Sequence, residues 1–117
     1  MTQHYHDPAD RGFARDLRAS APEEFAAYRT FSDTAVGRAD GAIPLKYREL
    51  IAVAVALTTQ CVYCLETHTA KARKAGVTQE ELAEAVYVTA ALRAGGAAAH
   101  GLMAMRMFNE AGEQANA

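Results

Sequence analysis

Residues 49–68 read ELIAVAVALTTQCVYCLETH, and the reading of this stretch decides the fold. Its first part, Leu50 to Leu57, is an unbroken apolar run. A run of this length suits a buried strand as well as a buried helix, because periodicity does not separate the two. Its surroundings do. Pro44 opens the segment as a proline opens a helix, alanines recur within it, and about sixteen residues pass before Gln60, which is long for a strand. The segment is therefore read as a third helix, from about Pro44 to Thr59. A helix apolar nearly all round belongs at the centre of a bundle or against another subunit.

Downstream, a fourth helix is expected from about Cys61 to Ala75, closed by Gly76 in the place of a C-cap. Thr78 and Glu81 form a capping-box pattern, and Leu82, Ala85, Val86 and Thr89 mark one face of a fifth helix. Gly95 and Gly96 are expected to end it, with a sixth helix from about Ala97 through His100, Met103 and Met107 to near Gly112 and a frayed tail from Glu113 to Ala117. Upstream, Asp7 and Pro8 start a short helix ending near Ser20, and Pro22, Glu23 and Glu24 start a second that reaches Gly37. Arg38 to Ala42 have loop chemistry. The 27 alanines against nine valines and isoleucines agree with helix over sheet. The expected fold is all-α, a compact bundle of about six helices with a CxxC pair at the start of the fourth. At 117 residues it forms one domain, 1–117.

A composition of 50% hydrophobic and 22% charged residues excludes a disordered or fibrous chain. The formal charge of −2 leaves no basic stripe for nucleic acid or an anionic membrane surface. No run approaches the roughly 20 apolar residues that span a bilayer. The N-terminus, with His4, His6, Asp7 and Asp10, lacks the pattern of a secretion signal, so a cytoplasmic location is expected. In a reducing compartment, two cysteines with two residues between them point to catalysis or metal binding rather than a permanent staple.

Chemistry concentrates in Glu49, Cys61, Cys64 and His68. On a helix, Cys61, Cys64 and His68 share one face. The positive end of the helix dipole and a nearby imidazolium both favour thiolate, the nucleophilic form. A turn near residue 60 makes the third and fourth helices an antiparallel pair, and Glu49 then lies within one helical turn of His68. A carboxylate there holds the imidazole tautomer and passes protons towards a cysteine sulfur.

Glu49, eleven residues, Cys61, two residues, Cys64, three residues and His68 together resemble the signature of alkylhydroperoxidase D proteins within the carboxymuconolactone decarboxylase superfamily. Roughly residues 40–95 carry the likeness. It implies a thiol-dependent hydroperoxide reductase in which Cys64 is the peroxidatic cysteine, Cys61 the resolving partner, and Glu49 and His68 the proton relay. It implies no bound cofactor, reduction by an external dithiol such as a lipoyl group or lipoyl protein, a peroxiredoxin as downstream partner, and a homo-oligomer, trimer or hexamer. The chain departs from the double-length member in its shortness, and it carries Tyr63 where a histidine can stand between the cysteines.

Two other classes fit parts of the pattern. A zinc-stabilised module would use Cys61, Cys64, His68 and His100 or Glu49 as ligands. A cofactor-free lactone decarboxylase would need neither cysteine, which counts against it here. His100, among small residues, suits a packing role, Tyr63 a pocket wall or an interface, and His4 and His6 carry no assignment.

Overall fold

The computed structural model of the chain describes residues 6–116, and helices account for nearly all of its regular structure. A 3-10 helix spans Pro8–Phe13, and the α-helices are α1, Ala14–Ser20, α2, Pro22–Ala35, α3, Leu45–Thr59, α4, Val62–Lys74, and α5, Gln79–Ala115. No strand occurs among the described residues. The disulfide-forming pair sits at the start of the fourth helix, as the sequence indicates. His4 lies outside the described residues.

Most of these starts and stops have a chemical cause. Asp7 caps the 3-10 helix, its Oδ1 accepting from Ala9 N at 2.9 Å, with Pro8 in the first turn. α3 ends at Gln60, whose left-handed backbone (φ 56°) lets its own amide and that of Cys61 donate back to Ala56 O. This is the helix-ending arrangement usually given to glycine. One residue thus reverses the chain, and Cys61 turns extended to cap α4. α4 closes the same way at Gly76 (φ +93°), with Val77 N donating to Ala72 O at 3.0 Å. α5 starts in the capping box foreseen from Thr78 and Glu81, with bonds of 3.1 and 2.9 Å. Lys46 Nζ meets Glu81 Oε2 at 2.9 Å and ties the start of α3 to that of α5.

α3 packs against both α4 and α5, and α1 against α2. Arg48 joins the two groups. It donates from Nη1 to Ala35 O at 2.8 Å and Thr34 O at 3.3 Å, and from Nε to Ile43 O at 3.0 Å. These are carbonyls left over at the end of α2 and in the loop that follows. Arg93 likewise donates to Leu57 O near the end of α3, at 3.3 Å.

Two expectations are corrected. Gly95 and Gly96 do not break the last helix, so there are five α-helices among the described residues rather than six, the last 37 residues long and reaching Ala115. Glycine costs a helix interior about 1 kcal/mol relative to alanine, but unlike proline it keeps its amide hydrogen, and the alanines on both sides carry the helix through. The bundle is also not compact. Its radius of gyration is 20.2 Å and its longest extent 61 Å, against about 13 Å expected for a compact domain of this size. Among the described residues, the fully buried apolar side chains are Val53, Ala56 and Ala72, all around the α3–α4 contact. α3 is apolar on every side but buried on one, since Ile51 and Val55 stay half exposed.

Candidate active site

The site is assembled by the α3–α4 hairpin. Glu49, in the first half of α3, is 2% exposed, in the same class as the most buried apolar side chains. Its Oε2 lies 2.7 Å from His68 Nδ1, whose side chain is itself mostly covered. A carboxylate in so closed a place needs a charged or hydrogen-bonding partner, and His68 is that partner. With Nδ1–H donating to Glu49, Nε2 is left with its lone pair for a second proton exchange.

Cys61 and Cys64 are joined as a disulfide, their Cα atoms 5.3 Å apart. The Sγ of Cys61 also accepts from Cys64 N at 3.2 Å, so the sulfur takes the role that a serine or aspartate oxygen plays at a helix start. Both cysteines are partly buried. Cys64 and His68 line one cleft of about 460 Å³. The rest of its wall is largely apolar, with Ile51, Ala52, Val55 and Ala56 from α3, Val36 and Ile43 beyond α2, and Arg48 and Thr59 as its other polar members. The four residues selected from the sequence are thus gathered on one hairpin, with Cys64 and His68 facing the cleft and Glu49 behind His68.

In the alternative metal set, Cys61 and Cys64 are taken up by the disulfide, and His100 stands on α5, outside the hairpin. Among the described residues no group of three or more His, Cys, Asp or Glu side chains is arranged to hold a metal ion. His100 is exposed on α5, and its Nδ1 pairs with Gly96 O of its own helix at 3.1 Å.

Sequence reasoning missed a second layer. Arg48, in the cleft wall, gave no signal as the neighbour of Glu49. Nor did Asp10 and Arg11 announce their contact with α4. Tyr63, between the cysteines, donates from its hydroxyl to Asp10 Oδ2 at 2.6 Å. That bond, with Asp7 N as a further donor, holds the Asp10 carboxyl below its ordinary value of 3.8. Arg11 Nη2 reaches Thr67 Oγ1 at 2.6 Å. Glu81 is also held below its ordinary range, first by the Thr78 amide and then by Lys46.

An all-helical protein built on a CxxC hairpin, with a buried Glu–His pair beneath it, is the class that this fold and site define. The chain belongs to the carboxymuconolactone decarboxylase family, whose sequence profile matches residues 22–107. It is 47% identical over 72 residues to "Uncharacterized protein 4 in cox locus" of Paracoccus denitrificans, covering 62% of this chain and 65% of that protein. It is 34% identical over 70 residues to an uncharacterized protein of Cupriavidus necator, covering 60% of this chain and 62% of the relative. The chain thus matches somewhat less than two thirds of the length of either relative. Among the described residues no helix is long and apolar enough to cross a membrane.

Proposed function

We propose that the chain is a thiol-dependent hydroperoxide reductase acting through the Cys61–Cys64 pair. The observation that carries this reading is the buried Glu49–His68 pair beside a disulfide-forming CxxC, with Cys64 and His68 in the wall of one apolar cleft. Cys64, which faces the cleft, is the attacking thiolate, and Cys61, which caps the helix, resolves. The Cys64 thiolate attacks the outer peroxide oxygen and the O–O bond breaks. The leaving alkoxide takes a proton from the relay, giving an alcohol and a sulfenic acid. The Cys61 thiolate then displaces hydroxide, which leaves as water with a second proton, and forms the disulfide. An external dithiol, a lipoyl group or thiol protein, returns both cysteines to thiols and is itself oxidised; a peroxiredoxin is the proposed downstream partner. The protein works as one domain, 1–117, without a bound cofactor, in the cytoplasm and as a homo-oligomer.

The test is rapid mixing of reduced protein with stoichiometric organic hydroperoxide. The wild type should lose two thiols per chain, and Cys61→Ser should lose one, with a sulfenic acid trapped at Cys64. Thiols that persist for minutes in the wild type would refute the reading. The family match supports a second one, a cofactor-free lactone decarboxylase with His68 as base. It predicts loss of lactone substrate at an unchanged rate in the Cys61→Ser, Cys64→Ser double variant.

A further inference from the structure

The contacts between the N-terminal 3-10 helix and α4 have no part in the chemistry above. Tyr63 Oη donates to Asp10 Oδ2, and the same oxygen accepts from Asp7 N at 3.2 Å, so Asp10 is fixed before Tyr63 reaches it. Arg11 Nη2 donates to Thr67 Oγ1 and, at 3.4 Å, to Tyr63 O, and lies 3.7 Å from Glu66 Oε2. The His6 ring stands edge-on to the Tyr63 ring, centroids 5.7 Å apart. Tyr63, Glu66 and Thr67 form the side of α4 turned away from Cys61, Cys64 and His68. The 3-10 helix therefore spans the first turns of α4 from behind the disulfide, held there by residues more than fifty positions away in the chain.

We propose that this clasp sets the reduction potential of the Cys61–Cys64 pair, with Tyr63 as its positioning residue. The inference rests on reading the two cysteines as a pair that cycles between disulfide and dithiol. Reduction takes two electrons and two protons and moves the sulfurs from a covalent bond to van der Waals contact. Cys61 is the cap of α4 and Cys64 lies in its first turn, so that separation has to be absorbed in the turn that contains Tyr63. The clasp holds Tyr63 at one end and Glu66 and Thr67 at the other, which fixes the pitch of that turn in the disulfide form. It therefore favours the disulfide over the dithiol. By linkage the converse holds to the same degree: reduction loosens the clasp by the factor by which the clasp disfavours reduction. The N-terminal segment is then a reporter of the oxidation state of the site.

Equilibration of the full chain in glutathione redox buffers measures the first half of this statement. Tyr63→Phe, which keeps the ring and removes the hydroxyl, and Asp10→Ala should each shift the equilibrium towards dithiol by about tenfold, or about 30 mV upward in potential. Amide exchange of residues 9–13 in the wild type measures the second half without any substitution, and it decides the matter if a variant fails to fold. Exchange should be about tenfold faster in the dithiol form than in the disulfide form. Wild-type potentials in both variants, or equal exchange in the two forms, would overturn the proposal. A wild-type pair that does not exchange with glutathione at all would instead overturn the redox reading on which it rests.

Discussion

Glu49 is the residue whose position is hardest to explain by stability. Replacing a buried ion pair by well-packed apolar residues is often neutral or stabilising, so burial of Glu49 against His68 is better understood through what the pair does than through what it adds to the fold. Glutamine at this site is nearly isosteric and still accepts from His68 Nδ1, but it cannot take up a proton. Glu49→Gln should therefore lower the rate of peroxide-driven disulfide formation by about 10²-fold or more, the usual range for loss of a proton-transfer group. The midpoint of thermal unfolding should barely move. Stopped-flow thiol oxidation beside a melting curve checks both, and an unchanged rate would remove Glu49 from the proposed relay. This pair was legible in the sequence because one turn at Gln60 relates residues 49 and 68 by simple register. Asp10 to Tyr63 and Arg11 to Thr67 were not, since nothing periodic links partners 53 and 56 positions apart. Arg48 was hidden for another reason: its partners are backbone carbonyls, which leave no trace in side-chain pattern.

Elements were legible wherever a backbone group had to be satisfied. Asp7, Pro44, Gly76 and the Thr78–Glu81 box mark true ends, because each answers the unpaired amides or carbonyls of a helix terminus. Gly95 and Gly96 look equally like punctuation, yet they lie in the interior of α5 with helical backbone. The difference is physical. Gly76 adopts a left-handed conformation that other residues resist, whereas the two interior glycines merely lower the propensity of a helix that its neighbours already favour. A Cβ added at either position meets nothing within 4 Å. Gly95→Ala should raise stability by up to about 1 kcal/mol in denaturant titrations. Loss of stability instead would mean that another surface lies against this stretch and needs the missing side chains.

At the scale of the molecule, the extended shape and the small core belong together. Leu82, Ala85, Val86 and Thr89 form the face of α5 that continues, at the same helical spacing, through Arg93, Gly96, His100, Met103 and Met107. Past Arg93 every described residue of α5 except Gly101 is exposed, Met103 at 46%. A chain of this size ordinarily covers about two thirds of its unfolded surface, and a monomer with so few buried apolar side chains has little to offset the entropy of ordering. The face as far as Thr89 was visible in the sequence, the break expected at Gly95 and Gly96 hid its continuation, and the need for covering was read from α3. Nothing among the described residues meets that need, and the homo-oligomer proposed above would supply the missing core. An obligate assembly has a stability that depends on protomer concentration. The unfolding midpoint should therefore rise with protein concentration, and sedimentation should show no folded monomer. Met103→Lys, which places a charge on the open face of α5 far from the cysteines in sequence, should lower both the assembled fraction and the midpoint. A concentration-independent midpoint with a monomeric mass would show that the hairpin and the first helices fold without a partner. The exposed face of α5 would then be a property of the free chain.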